Sequence, residues 1–183
     1  AEKCMDAICV GEGDELLVTL CNRIKNGEIL LNGLDHNEKA VKISNLTIKQ
    51  PESKKIIKNP TVLLDVNKAP FQDWSAWSVP PRASKSMRGK IRKTALVELT
   101  RGCPYKCTYC SNHAMAKLSG GLYVRFRSPK HIIGELDYIR NSYPKVDRVI
   151  LEVETFGANR KASYAVFDAL AEYNRKLDDP LKF

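Results

Sequence analysis

The chain has 183 residues, 43% of them hydrophobic and 28% charged, with 10 Gly and 9 Pro. This composition is that of a globular protein of one or two domains, and it excludes collagen-like, low-complexity and wholly disordered chains. The 30 Lys and Arg against 21 Asp and Glu give a net charge of +9, which suits nucleic acid, a membrane surface or an anionic small molecule.

The sequence carries no membrane or export signal. No run approaches about 18 apolar residues, so no transmembrane helix is predicted. The first ten residues lack both the basic segment and the long apolar segment of a secretory signal. Six Cys are too few for a disulfide scaffold, and three of them lie within eight residues, which indicates metal or redox chemistry in a reducing compartment. We therefore predict a cytoplasmic protein without a membrane span.

The chain begins with the pattern strand, glycine turn, helix. Residues 6–10 form a short apolar run that predicts a buried strand, and Gly11 and Gly13 follow it. The next apolar residues recur at helical spacing, and Gly27 is a natural end for that helix. This order is typical of an α/β unit.

The middle of the chain is polar, Lys-rich and interrupted by proline. Short strands are expected at 40–43 and 46–48, and residues 50–92 are expected to form an extended connector between two domains. Within it, residues 80–93 contain six Lys and Arg and no acid. They lack the interleaved aromatic residues of a single-strand binder, so we predict a solvated linker, with anion binding as the alternative.

Regular patterning returns in the second half. Residues 94–99 (TALVEL) predict a strand, and Ser128 and Pro129 predict a helix start. Residues 148–153 (RVILEV) predict a second strand, a further helix follows, and 182–183 begin a third strand. This β-α-β-α order argues for a parallel sheet or barrel with helices outside.

Three cysteines follow the 94–99 strand with the spacing C-x3-C-x2-C, namely Cys103, Cys107 and Cys110. Thiolates hold iron–sulfur clusters, and soft sulfur selects these clusters or zinc over hard cations. Active sites collect at this end of the strands in barrels and open α/β sheets. Three Cys without a fourth favour an iron–sulfur cubane with one free iron, whereas His113 would complete a tetrahedral zinc site. Three ordinary buried thiols are the remaining interpretation.

Residues 101–110, RGCPYKCTYC, resemble the signature of radical S-adenosylmethionine enzymes. The resemblance implies that Cys103, Cys107 and Cys110 bind a [4Fe–4S] cluster whose fourth iron is chelated by S-adenosylmethionine. It also implies that the reduced cluster cleaves S-adenosylmethionine to methionine and a 5′-deoxyadenosyl radical, which abstracts hydrogen from a substrate. Tyr109 occupies the position that packs near the adenine in the family, with plain core packing as the alternative.

Residues 125–129 (RFRSP) and 154–160 (ETFGANR) are similar to one branch of this family, in which the second strand ends in an acidic-acidic-Thr-Phe sequence. In that branch the strand end approaches the amino group of S-adenosylmethionine. The resemblance therefore implies cofactor-binding roles for Glu154 and Thr155. Val153 departs from the pattern, because it stands where the first acid is usual.

Residues 6–15 are similar to the last strand and glycine turn of the cobalamin-binding domain found upstream in cobalamin-dependent radical enzymes. This makes Gly11 and Gly13 candidate cofactor-binding residues. A dinucleotide site is disfavoured, because Leu16 stands where a third glycine is required and the acids of the turn would repel a pyrophosphate. No residue matches the histidine that ligates cobalt in the family, so cobalamin is expected only of a parent protein.

We therefore predict an α/β chain in three parts: the C-terminal end of a Rossmann-like cobalamin-binding domain at 1–50, a linker at 51–92, and the first β/α units of a partial TIM-type radical SAM barrel at 93–183. A full barrel takes about 250 residues. Together with a first residue other than Met, this predicts an internal fragment, inactive by itself in one hypothesis. The expected cofactors are a [4Fe–4S] cluster, S-adenosylmethionine and, in the parent protein, cobalamin. The expected partners are an electron donor such as flavodoxin or ferredoxin and a small-molecule or peptide substrate, without nucleic acid.

Three alternatives remain. The first is a non-enzymatic iron–sulfur or zinc module, with His113 as the fourth ligand. The second is a methylthiotransferase, although Cys4, Cys9 and Cys21 lack convincing spacing for a second cluster and are expected to be small buried residues. The third is a basic RNA-binding module, which would show steeply salt-dependent binding. His131 is expected to be solvated in the first turn of its helix.

Overall fold

The computed structural model describes residues 7–29, 42–49, 55–75, 83–87, 89–120 and 123–183. The chain divides into two compact units, Ala1–Leu64 with Ala114–Gly121, and Asp65–His113 with Leu122–Phe183. Helices and strands occur in both, so the fold is mixed α/β, as predicted. None of the helices in the described ranges is long and apolar enough to cross a membrane. The division at 1–50, 51–92 and 93–183 stays a prediction.

The first unit contains a small antiparallel sheet and a helix. Its elements are β1 (Ala7–Cys9), α1 (Asp14–Lys25), β2 (Leu46–Lys49) and β3 (Ile56–Lys58). β2 lies between β1 and β3 and is antiparallel to both. The strand expected at 46–48 and the helix before it are confirmed, and a strand is present within 6–10. The expectation that this first strand is buried is wrong, because β1 lies at the edge of the described sheet and Ile8 is exposed. The strand expected at 40–43 lies partly outside the described residues.

The turn between β1 and α1 is fastened by Asn45, a buried residue in the left-handed region with φ 68°. Its side-chain amide donates to the carbonyl oxygens of Glu12 at 2.7 Å and Val62 at 3.0 Å, and its oxygen accepts from Val62 N at 2.6 Å. The carboxylate of Glu12 accepts from Leu64 N at 2.7 Å. Gly11 has φ 106°, a conformation that favours glycine. The chain's own residues therefore hold the backbone of this turn.

The second unit is built on a parallel strand pair. Its elements are β4 (Ala83–Met87), β5 (Lys90–Glu98), β6 (Thr100–Arg101), β7 (Arg125–Phe126), α3 (Pro129–Ser142), β8 (Arg148–Glu152) and α4 (Arg160–Arg175). The helix α2 (Asn112–Leu118) begins in this unit. β5 is parallel to β8 and antiparallel to β4, and β6 pairs with β7. The predicted strand–helix–strand order and the parallel pairing are confirmed. Lys182 forms a parallel bridge with Arg148, where a third strand was expected to begin.

β4 and the first residues of β5 lie within the stretch expected to be extended connector, whereas the rest of β5 coincides with the strand predicted at 94–99. Ala83 pairs with Thr94 and Met87 with Lys90, and Gly89 at φ 72° lies in the turn. The segment is rich in Lys, Arg and Ser, so it lacks the apolar alternation that marks a strand. The strand pairing is therefore not visible in the sequence pattern.

The core of the second unit lies between the parallel strands and the helices α3 and α4. Its most deeply buried side chains include Val97, Val149, Ile132 and Leu136. The helix α3 begins as predicted, because the side chain of Ser128 accepts a hydrogen bond from the backbone N–H of His131 at 3.3 Å and Pro129 follows it. The apolar residues Ile132, Leu136 and Ile139 of this helix pack in the core.

Residues 65–75, which fall in the predicted linker, pack on α3. The ring of Phe71 lies 5.1 Å from the ring of His131 and 5.8 Å from that of Tyr138. A Cβ on Gly134 would lie 3.1 Å from Phe71 Cζ, so a small residue on the helix admits this aromatic ring. The backbone N–H of Trp74 donates to Tyr143 Oη at 2.9 Å.

Candidate functional site

The loop that carries the three cysteines, residues 103–110, follows β6 directly at the carboxyl end of the parallel pair. Loops that follow neighbouring parallel strands meet at the same edge of a sheet. The contact is direct here, since the sulfur of Cys103 lies 2.9 Å from the hydroxyl oxygen of Thr155, three residues beyond β8. The structure thus brings together two predicted site residues that are 52 positions apart.

The residue before the loop must be glycine. Gly102 has φ 93°, which side chains rarely adopt. A Cβ at this position would lie 2.5 Å from the backbone oxygen of Tyr123 and 2.9 Å from its ring. The close approach of these two backbone segments therefore sets where the Cys loop begins.

The three thiols are free, with Cys107 exposed and Cys103 and Cys110 half-buried. The backbone N–H of Cys110 donates to the carbonyl oxygen of Cys107 at 3.1 Å, which makes a turn between the second and third cysteines. Tyr109 is 91% exposed, so the alternative that it packs in the core is wrong. Tyr105 is exposed as well. The loop therefore presents sulfur atoms and aromatic rings to the surroundings, and three buried thiols are excluded.

Three thiols on one short loop are the donor set of an iron–sulfur cluster, so the chemistry of the residues fits this group. Their geometry is open. Among the described residues, no group of three His, Cys, Asp or Glu side chains is arranged to hold a metal ion. His113, the fourth ligand of the zinc hypothesis, has a buried Nδ1 without a hydrogen bond in the described part of the chain. Cluster binding would require the loop to draw its sulfurs together.

A second contact joins the loop region to the end of β8. The side-chain amide nitrogen of Asn112 donates to the carboxylate of Glu154. Tyr123 Oη donates to the amide oxygen of Asn112 at 3.3 Å, which orients the amide. Sequence reasoning missed Asn112, because Glu154 lies 42 residues away and no motif connects them. Glu154 is exposed, and Glu152 is also exposed.

Arg127, which follows β7, forms a buried ion pair with Glu135 of α3. Arg127 Nη1 lies 2.6 Å from Glu135 Oε2, and the two side chains are 6% and 3% exposed. Arg127 also donates to the carbonyl oxygen of Glu98 at 2.8 Å and to Nδ1 of His131 at 3.0 Å. His131 is half-buried rather than solvated, since its Nδ1 accepts from Arg127 and its ring packs on Phe71. Burial and the Arg127 charge lower its pKa. These bonds tie the end of β5 to α3.

The remaining sequence candidates lie in the first unit. Gly13 is the residue before α1, and the Cys9 thiol donates to the Gly11 carbonyl oxygen at 3.7 Å.

Cys9 and Cys21 are exposed, which corrects the expectation that they are buried. The physical reason is that β1 is an edge strand, and that Leu16 is the residue of α1 that enters the core. Partial burial and the nearby Asp14 raise the Cys9 pKa, and Cys4 lies outside the described residues.

Two structures of a radical S-adenosylmethionine methyltransferase, TsrM, from Kitasatospora setae are similar to this chain. The one with a tryptophan substrate and a S-adenosylmethionine analogue bound has a TM-score of 0.57 and 13% identity over 96% of this chain and 31% of that chain. The one with cobalamin and a [4Fe–4S] cluster bound has a TM-score of 0.58 and 14% identity, again over 96% and 31%. At this identity the likeness is one of fold, and this chain spans about a third of the length of those chains.

No curated protein sequence matches this chain significantly. Residues 97–179 match the family model described as the Radical SAM superfamily. The matched segment starts within β5 and contains the Cys loop, Asn112, α3, β8 and α4. The part of the chain that carries the three cysteines therefore matches the Radical SAM superfamily model.

Proposed function

We propose that this chain is the cluster- and cofactor-binding portion of a radical S-adenosylmethionine enzyme. The observation that carries the proposal is the Cys loop, which presents three free thiols at the carboxyl end of a parallel strand pair, within the segment that matches the superfamily. Cys103, Cys107 and Cys110 would hold a [4Fe–4S] cluster. When bound and reduced, this cluster supplies the electron that cleaves S-adenosylmethionine to methionine and a 5′-deoxyadenosyl radical.

The residues around the loop would orient S-adenosylmethionine. The exposed Glu154 carboxylate suits the cationic amino group of the cofactor, and its bond with Asn112 limits how that carboxylate can point. Tyr109 offers an exposed aromatic face, which suits the adenine ring. Thr155, beside Cys103, completes the set. These roles rest on the resemblance and on the placement of the residues at one edge of the sheet.

For the first unit we propose the end of a cobalamin-binding domain, with Gly11 and Gly13 near the cofactor in a parent protein. The fold likeness to TsrM, which extends over 96% of this chain, supports this proposal. The antiparallel neighbour of β1 is a feature that the Rossmann-like expectation did not include. The domain limits at 50 and 92 belong to the same proposal.

The parent enzyme is proposed to transfer a methyl group with cobalamin or to carry out another radical rearrangement on a small molecule or peptide. An electron donor such as flavodoxin or ferredoxin in a reducing cytoplasm would supply the electron. The alternative, a non-enzymatic iron–sulfur or zinc module, requires a fourth protein ligand. Among the described residues no group of three His, Cys, Asp or Glu side chains is arranged to hold a metal ion, which applies to both hypotheses, so the following experiment separates them.

The test is EPR spectroscopy of the chain after anaerobic cluster reconstitution and dithionite reduction, with and without S-adenosylmethionine. We expect a [4Fe–4S]⁺ signal that changes when S-adenosylmethionine is added. Cys107→Ala should abolish the signal, whereas Cys21→Ala, which removes an exposed thiol outside the loop, should preserve it. A wild-type cluster signal that does not respond to S-adenosylmethionine would instead support the fully ligated module.

A further inference from the structure

We propose that Thr155 is a positioning residue for the Cys103 sulfur, and that its hydroxyl donates a hydrogen bond to this sulfur when Cys103 ligates the cluster. This inference deepens the proposed function and rests on it. The role is distinct from seating S-adenosylmethionine, because it concerns the protein ligand and the cluster alone.

The geometry places the hydroxyl at one sulfur of the loop. Thr155 Oγ1 lies 2.9 Å from Cys103 Sγ in a half-buried setting. In the described part of the chain, Cys107 and Cys110 have no side-chain hydrogen bond of this kind. The contact therefore acts on one of the three ligands and makes the set asymmetric.

The surroundings of Thr155 keep the hydroxyl in place. The residue follows β8 in a turn, and it borders a small apolar cavity also lined by Leu99, Val153 and Phe167. An apolar border limits competition from water, which strengthens a hydrogen bond. Threonine is also stiff about χ1, because it is branched at Cβ. The hydroxyl is thus presented to the sulfur with little freedom to turn away.

The direction of the hydrogen bond between Thr155 and Cys103 follows from which of the two atoms carries a proton. In the free chain either atom can donate, because the thiol and the hydroxyl each carry a proton. A cysteine that ligates a metal is deprotonated. The hydroxyl proton is then the one that remains between the two atoms, so Thr155 must donate to the Cys103 thiolate.

A hydrogen bond to a ligand sulfur changes the reduction potential of an iron–sulfur cluster. The reduced cluster carries one more negative charge than the oxidised cluster, so a donor at the sulfur stabilises the reduced form more. One electron from dithionite converts the oxidised [4Fe–4S]²⁺ state to [4Fe–4S]⁺, with no bond to the protein made or broken. Thr155 is therefore expected to raise the midpoint potential of this couple.

The test is an EPR-monitored potentiometric titration of the reconstituted chain in the absence of S-adenosylmethionine. Thr155→Val keeps the shape of the side chain and removes the donor. We expect the equilibrium to shift about tenfold toward the oxidised cluster, which for one electron is a fall of about 59 mV in midpoint potential. Thr155→Ser should keep the wild-type potential. Ser163→Ala removes a hydroxyl that borders the same cavity but donates to the carbonyl oxygen of Asn159 at 3.0 Å, so it is the matched control and should also leave the potential unchanged.

The outcomes separate this inference from the proposed function. If the cluster assembles and Thr155→Val has the wild-type potential, the hydrogen-bond role is overturned while the proposed function stands. If the wild-type chain assembles no cluster, both are overturned. If Thr155→Val itself assembles none, Thr155→Ala compared with Thr155→Ser decides, and equal potentials in those two variants overturn the inference.

Discussion

Two turns of this molecule follow a strand and contain a glycine with positive φ, yet they differ in which atoms they leave free. In the turn at Gly11, Asn45 binds the backbone of the turn, and the Glu12 carboxylate binds Leu64 N. In the loop after Gly102, the Cys107 thiol and the Tyr109 ring are exposed. The same strand–glycine pattern is therefore held by internal hydrogen bonds in one region, whereas in the other it leaves potential metal ligands and an aromatic ring exposed.

The two regions also differ in how their supports are built. Asn45 is neutral and binds backbone atoms, whereas Arg127 and Glu135 form a buried ion pair that also reaches a backbone carbonyl at the end of β5. A buried charge is costly to leave without its partner, and a lost neutral hydrogen bond costs less. The unit with the exposed thiols is thus stabilised by the interaction whose partners are costlier to separate.

The largest effect is expected from breaking the ion pair. Glu135→Ala would leave the Arg127 charge buried, so we expect the free energy of unfolding to fall by about 3–5 kcal/mol. Urea denaturation measures this change. Glu172→Ala removes the acid of an exposed pair with Lys176 at 2.6 Å and is the control, for which we expect no measurable change. Equal losses in the two variants would refute the contrast between a buried and an exposed pair.

The next effect compares the two glycines directly. Gly102→Ala combines the strain of a positive φ with a clash against a backbone oxygen, and we expect a cost of about 2–4 kcal/mol. A Cβ at Gly11 would meet only side-chain atoms, the Thr61 methyl carbon at 3.1 Å and the Asn45 amide at 3.7 Å, so the cost of Gly11→Ala should stay near the strain alone, about 1–2 kcal/mol. Thermal unfolding of both variants tests the order. A greater loss of stability for Gly11→Ala would contradict the inference that the backbone is more closely packed at Gly102.

The smallest effect is a pH dependence at His131. Its pKa is lowered from 6.5 by burial and by Arg127, so the folded chain binds fewer protons than the unfolded chain below that value. Stability from this residue is therefore complete above about pH 6.5 and is lost as the pH falls toward the folded pKa. We expect wild-type melting temperature to drop more than that of His131→Gln between about pH 7.5 and 5.5. If the melting temperatures of the wild type and His131→Gln fall equally with pH, a contribution from His131 is excluded.

The sequence predicted those helices and strands whose formation depends on residues close together in the chain. Ser128 and Pro129 marked the start of α3 because capping acts within a few residues, and the β-branched run at β8 predicted a strand. β4 and residues 90–93 of β5 have no such signal, since their pairing depends on Gly89 and on a partner strand rather than on apolar alternation. Antiparallel pairing of β1 with β2 joins Ala7 to Ile48, a distance along the chain that periodicity does not report.

The candidate site likewise contains residues that the sequence predicted and residues that only the structure identifies. Spacing and resemblance predicted the three cysteines, and the contact between Cys103 and Thr155 supports the idea that both strand ends contribute. The supports were not predicted, because Asn112 and Arg127 act through partners that only the folded chain brings near. Polar residues of this kind resemble ordinary surface residues in a sequence, and their hydrogen-bond partners in the folded chain identify them.

The pairing of β5 has a consequence for how the second unit opens. Residues 90–94 pair with β4 and residues 94–98 pair with β8, so Thr94, which is fully buried, is the one position of β5 shared by both ladders. Proteins open locally in cooperative segments. The hairpin can therefore unzip up to Thr94 while the parallel ladder beneath the Cys loop stays closed. Amide hydrogens before this residue would exchange with solvent deuterium early, and those after it late.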